Sequence, residues 1–229
     1  MEKGSNKKLW HEKYFNSHYL RYVNDLKLIN EYFKGGEILE IGGFPFHLTT
    51  VLKKLNIPTT SVDIQPDRAK NIISDYKLKV IAVDIENNKL PFGNDSFDLI
   101  LFNEVFEHLR IDPIHALLEI NRVLARNGIL ILTTPNFYSL IRIKSYLLGK
   151  GVGVPYQEFM KIKKIGHMGH IRTYSAVQIK EFLTHTNFKI ETYSYKSYRP
   201  QKITNLPLRT IEALIPSIRT YLTFITTKI

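Results

Sequence analysis

The run FDLILFN, residues 97–103, most constrains what this chain can fold into. Its apolar side chains fall on both parities of an extended backbone, so a strand made from it has no solvent face and must lie in a sheet covered on both sides. ILILTT (129–134), opened by Gly128, has the same character. TTSVDI (59–64) and KVIAVDI (79–85) are β-branched, and EILEI (37–41) is a shorter strand pattern. Between these runs stand helical patterns: Leu48 to Asn56, stopped by Pro58, and Pro113 to Leu124 with proline in its first turn. Strands and helices alternate at least four times, which predicts an α/β fold with a parallel, doubly wound sheet and helices on both faces.

The flanks read differently. Residues 7–34 repeat apolar and aromatic positions at the helical period, from Trp10, Tyr14 and Phe15 to Ile29 and Phe33, and end at Gly35-Gly36. Trp10, Tyr14 and Phe15 are expected to pack this helix. After Pro135 come a helical stretch (137–148), a Gly-rich basic segment, a helix over 176–186 with Ser175 and Gln178 spaced as a capping box, and two β-like stretches, FKIETYSYKSY and IRTYLTFITTK. At 229 residues the chain is read as one domain. Its expected parts are a helical cap (1–34), a core (35–135), an insertion (136–172) and a closing helix with strands (173–229).

Composition excludes several classes. There is no cysteine, so disulfides and thiolate-held metals are ruled out. No run approaches the ~18 apolar residues of a membrane span, and MEKGSNKKLWHEKYF lacks a signal-peptide core, so a cytoplasmic location is expected. The formal net charge is +11, and between Arg142 and Arg172 seven Lys/Arg stand against one acid, Glu158. Such a region attracts phosphates, an anionic or lipid-phosphate-linked acceptor, or an anionic membrane surface, although a solvated lysine-rich face explains the charge equally well.

In doubly wound folds ligands bind beyond the carboxyl ends of the strands. Three acids sit at those ends: Glu40 just before Gly42-Gly43, Asp63 closing the second strand and Asp84 the third. Asp63, 20 residues after Gly43, is placed to accept from a ribose diol. The turn EIGGFPFHLTT has Phe44, Pro45 and Phe46 where a pyrophosphate-binding turn needs further glycines, which counts against a nicotinamide enzyme. Pro45 is expected to start the helix after the turn.

Five segments in order, ILEIGGFPFHLTTVLKKL, SVDIQPDR, VDIENNKLPFGNDSFDLILFNEVFEHL, EINRVLARNGILILTTPN and GHIRTYSAVQIKEFL, resemble the class I S-adenosylmethionine-dependent methyltransferases, particularly the branch acting on small metabolites, quinone precursors and glycans. The resemblance covers roughly residues 37–190. It implies a Rossmann-like, mostly parallel seven-stranded sheet whose last strand is antiparallel, with S-adenosylmethionine as cofactor. Glu40, Gly42, Gly43 and Asn103 would then face its methionine part, Asp63 its ribose, and Ile64, Asp84 and Ile85 its adenine.

In NEVFEHL, a helix would bring Glu104, Glu107 and His108 to one face. Two carboxylates and an imidazole suit Mg²⁺ or Mn²⁺. The spacing also resembles a metal motif of ubiquinone-pathway O-methyltransferases and of small-RNA 2′-O-methyltransferases, in which a later histidine completes the site; here GHMGHIR offers His167 and His170. A bound metal would lower the pKa of an acceptor hydroxyl. Without one, Glu107, His108 and His170 are the candidate catalytic groups. TTPN (133–136) resembles a segment lining the acceptor side. The leading reading is O-methylation of a sugar, glycan precursor or other small metabolite. RNA 2′-O-methylation is the alternative, disfavoured by the lack of an appended RNA-binding module, and a non-catalytic protein keeping the fold is a third class. Oligomeric state is not legible.

Overall fold

A computed structural model of the chain describes residues 2–151, 153–166, 169–170, 172–198 and 206–229. The strands are β1 (Ile38–Ile41), β2 (Thr59–Asp63), β3 (Lys79–Ala82), β4 (Phe97–Asn103), β5 (Leu124–Pro135), β6 (Phe188–Lys196) and β7 (Tyr221–Lys228). They form one sheet in the order β3-β2-β1-β4-β5-β7-β6. The first five pair in parallel, and β7 lies antiparallel between β5 and β6. This is the expected doubly wound sheet with an antiparallel last strand. The helices are α1 (Glu2–Tyr32), α2 (His47–Lys54), α3 (Lys70–Asp75), α4 (Pro113–Val123), α5 (Leu140–Leu147), α6 (Pro155–Ile165), α7 (Ala176–His185) and α8 (Leu206–Leu214).

Alternation along the central strands builds two cores. Leu39, Ile100 and Phe102 meet Leu117 and Ile120 of α4 and Ile179 and Leu183 of α7 on one face. Ile38, Leu99 and Leu101 meet Leu28 and Ile29 of α1 and Leu48 and Leu52 of α2 on the other. Successive strand side chains point to opposite faces, so a wholly apolar run feeds both layers.

Local chemistry sets the boundaries. Ser175 and Gln178 form the expected capping box, each side chain bonding the other's backbone N–H. Gly128 does not open β5, which begins at Leu124 and absorbs an irregularity in its pairing with β4. A Cβ at Gly128 would lie 2.7 Å from Leu124 Cδ1 and 3.0 Å from the Phe97 carbonyl, so this glycine marks a close approach rather than a turn. The Gly-rich basic stretch contains α6, started by Pro155, a helix that periodicity did not reveal.

Pro45 does not start α2 either. That helix begins at His47, and Phe46 is its N-cap with φ 64° and no side-chain capping bond. Phe46 is held there by packing: it is fully buried against Ala69 and Leu78 beneath the turn. Phe46→Ala is therefore expected to cost about 3–5 kcal/mol in denaturant unfolding, whereas Phe44→Ala, at a half-buried ring, costs clearly less.

Candidate active site

Strand order reverses between β1 and β4, and a cleft opens there beyond the carboxyl ends of β1 to β4. Ile41, Val62, Val83, Val105 and Leu109 give it apolar walls, with Asp63 and Asp84 on its rim. Of the residues singled out for the cofactor, Gly42, Asp63, Ile64, Asp84 and Ile85 line the cleft; Glu40, Gly43 and Asn103 do not. Gly42 sits at φ 72°, and a Cβ there would lie 2.3 Å from Val105 Cγ2, so its backbone approaches the next loop in a way only glycine permits. Gly43 serves packing behind the wall, where a Cβ would lie 2.2 Å from Ser61 Oγ.

The acids are fixed before any ligand arrives. Asp63 accepts from the Phe44 N–H (3.2 Å) and the Gln65 N–H (2.8 Å). Asp84 accepts from the Glu86 N–H (3.0 Å) and the Asn87 side-chain amide (2.8 Å). Each carboxylate oxygen retains lone-pair capacity for a further donor. Glu40 accepts from the Thr49 hydroxyl, and burial pushes its pKa up to about 7. Asn103 holds a buried side-chain amide whose oxygen and nitrogen both lack a hydrogen-bond partner among the described residues.

The cover of the cleft comes from α1, through side chains that the sequence assigned to helix packing. Trp10 and Tyr14 of α1 line it, stacked on each other with ring centroids 5.1 Å apart, and Phe44 lies 5.7 Å from Trp10. The Arg68 guanidinium stands 3.7 Å over the Phe44 ring. Spacing could show that Trp10 and Tyr14 share a helix face, but not which part of the sheet that face covers. Sequence reasoning missed Glu86. Its Oε1 accepts from the N–H groups of Arg110, Ile111 and Asp112 at 2.6–3.0 Å and ties the rim together.

After β4 the chain does not enter an α-helix, as the spacing of Glu104, Glu107 and His108 suggested. Glu104 takes φ 57°, and only a 3₁₀ turn follows, Phe106–His108. Two threonines at the end of β5 hold the acids: Thr133 donates to Glu104 (3.1 Å) and Thr134 to Glu107 (3.1 Å). Donor atoms of Glu107, His108 and His170 nevertheless lie within 4.8 Å of one another. Glu104 is outside this trio, and His167 lies outside the described residues. His108 Nδ1 stands 3.1 Å from the Gly169 carbonyl. A carbonyl only accepts, so Nδ1 carries the proton and Nε2 is the basic nitrogen.

Burial and the neighbouring Glu104 charge push the Glu107 carboxyl well above the usual range, and among the described residues its Oε1 has no hydrogen-bond partner, with His170 Nε2 at 4.0 Å. Burial raises Glu104 to about 6, opposed by Arg21 of α1 and the Thr133 bond. His170, partly exposed, is lowered because burial outweighs Glu158. On α1, burial raises Asp25 to about 7 against the attraction of Arg21.

A family model described as "Methyltransferase domain" matches residues 13–193. The chain belongs to this methyltransferase family. S-adenosylmethionine is the cofactor the family implies, and the apolar walls, the two rim carboxylates and the aromatic cover suit a purine, a diol and a cationic sulfur. The protein named Uncharacterized protein MJ1252, from Methanocaldococcus jannaschii, is 26% identical over 232 residues, covering 96% of this chain and 86% of that one. In fold, the methyltransferase is similar to a SAM dependent methyltransferase from Archaeoglobus fulgidus, with TM-score 0.66 and 16% identity over 96% of this chain and 98% of that chain. A SAM-dependent methyltransferase from Thermotoga maritima has TM-score 0.60 and 19% identity over 96% of this chain and 94% of that one. Among the described residues no helix is long and apolar enough to cross a membrane.

The raised Asp25 pKa has a defined sign. The fold favours the protonated acid, so the stability it contributes below the unfolded-state pKa is lost as pH rises from about 4 through about 7. Asp25→Asn is expected to gain stability relative to the parent between about pH 5 and about pH 7.5 in urea unfolding, with little difference at the acid end.

Proposed function

We propose that this methyltransferase transfers a methyl group to a hydroxyl of a sugar, glycan precursor or other small metabolite, with the Glu107–His108–His170 trio receiving the hydroxyl proton. One observation carries the reading: a fully buried carboxyl, with a raised pKa and an oxygen unbonded among the described residues, sits beside two imidazoles, of which His108 lines the cleft. A raised pKa makes its ionised form a stronger base than an ordinary carboxylate.

When bound, S-adenosylmethionine supplies a methyl group on an activated, cationic sulfur. Asp63 would accept from the ribose hydroxyls, Ile64, Asp84 and Ile85 would hold the adenine, and the Gly42 backbone would meet the methionine part. Asn103 would place its unpartnered amide there, with Glu40 and Gly43 supporting the turn. Trp10, Tyr14 and Phe44 would exclude water and offer ring faces to the sulfonium. Alignment of acceptor oxygen, methyl carbon and sulfur then leaves deprotonation as the remaining demand on the protein. The basic segment favours an anionic or phosphate-linked acceptor.

Asp63→Ala is expected to weaken S-adenosylmethionine binding at least ~10-fold in calorimetry, the loss of a charge-assisted pair of hydrogen bonds; unchanged affinity removes Asp63 from the site. Glu107→Gln should leave that affinity intact, lower kcat by ~10²–10⁴-fold and abolish the rising limb of the pH–rate profile.

A second reading rests on the same trio. Glu107, His108 and His170 offer one carboxylate and two imidazoles at ligand spacing, a set that suits Mn²⁺ or Mg²⁺ and that would favour the ionised form of Glu107. On this reading EDTA abolishes activity and Mn²⁺ restores it in the parent alone, not in His170→Ala. It also favours an RNA 2′-hydroxyl as acceptor, for which activity falls steeply with salt.

A further inference from the structure

Ten of the twenty-six large hydrophobic side chains exposed among the described residues fall between Phe137 and Met160. They concentrate on α5, α6 and the turns beside them. α5 keeps Arg142 half-buried near Glu107 and Glu104, while Ile141, Lys144, Leu147 and Leu148 are exposed. Leu147 is 76% exposed, as an isolated solvent-facing helix would leave it. α6 is fastened to the site on one side only. Glu158 accepts from the His170 N–H (2.9 Å), and Ile162 packs so closely on Gly169 that a Cβ there would lie 2.8 Å from it. Away from that anchor, Tyr156, Phe159 and Met160 stand at i, i+3 and i+4, with Tyr156 78% and Phe159 64% exposed. Lys161, Lys163 and Lys164 are exposed around them. The only acid of the segment, Glu158, is already paired with Lys161 at 2.7 Å.

We infer that α5 and α6 dock the protein on an anionic bilayer surface, with their apolar side chains at the acyl boundary and their lysines among the headgroups. Aromatic and leucine side chains interleaved with lysine, on helices too short to span, are what such an interface takes. Charge decides against the other occupants. A second copy would bring two strongly positive faces together, and RNA would cover the lysines but leave the apolar side chains in water. Docking of this kind places the bilayer on the outer face of α6, the helix whose inner face holds His170 beside the trio. If the methyl-transfer reading holds, the acceptor can be the polar head of a membrane lipid.

The test is co-sedimentation of the full chain with vesicles of phosphatidylcholine alone, and of phosphatidylcholine with about one third phosphatidylglycerol. The parent is expected to pellet with the anionic vesicles and to be only partly released by salt. Lys163→Glu with Lys164→Glu, and separately Tyr156→Ser with Phe159→Ser, are each expected to cut partition at least ~10-fold. All four side chains are exposed, so the fold is retained, which circular dichroism checks. A parent that stays in the supernatant, or full pelleting by either double variant, overturns the inference. So does a dimer in sedimentation equilibrium that Tyr156→Ser with Phe159→Ser dissolves. S-adenosylmethionine affinity, measured without vesicles, is expected to be equal in all three chains; its absence from all three counts against methyl transfer and leaves the vesicle result standing.

Discussion

Everything polar in this protein is arranged around one constraint: the central strands have no solvent face. Ile38 and Leu39 of β1 and Leu99 to Phe102 of β4 are fully buried, half of them under α1 and α2 and half under α4 and α7. Unpaired polar groups are costly in such layers. Chemistry is therefore displaced to the carboxyl ends of the strands, where the chain leaves the sheet. The reversal of strand order between β1 and β4 separates the two crossovers and leaves room for a ligand.

That displacement also explains the electrostatics. Glu40 in β1 and Glu107 after β4 are buried, Glu104 lines the cleft between them, and Asp25 is buried on α1. Desolvation raises all four, and Arg21 and Arg142 only partly compensate. Carboxyl groups kept out of water in this way hold protons at a pH where free ones do not. Threonines at the end of β5 fix the acids, so the hydroxyls of TTPN orient the carboxylates rather than merely line a wall.

Much of the sheet was legible because periodicity and punctuation are local. FDLILFN announced a doubly buried strand, Ser175 and Gln178 a capped helix, and the acids after TTSV and KVIAV their own strand ends. Local rules failed where a residue answers to a distant partner. Gly128 signals a close approach to β4, Phe46 is an N-cap because it is buried under the turn, and Glu104 breaks the helix that its spacing suggested. Phe44 and Phe46 divide their labour in a way the sequence does not show, one lining the cleft and the other filling the core beneath it.

By itself, then, the sequence determined the layer architecture, the strand ends at which Asp63 and Asp84 stand, and the positive charge of the segment after β5, since each follows from the order and type of neighbouring residues. Only the tertiary structure decided that α1 covers the cleft with Trp10 and Tyr14, and that His170 reaches Glu107 and His108 while Glu104 accepts from Thr133. It also decided that Ile141 and Leu147 of α5 and Tyr156, Phe159 and Met160 of α6 find no core. The physical reason is that a side chain's period fixes which neighbours share its face, whereas what that face meets depends on how the elements close upon the sheet.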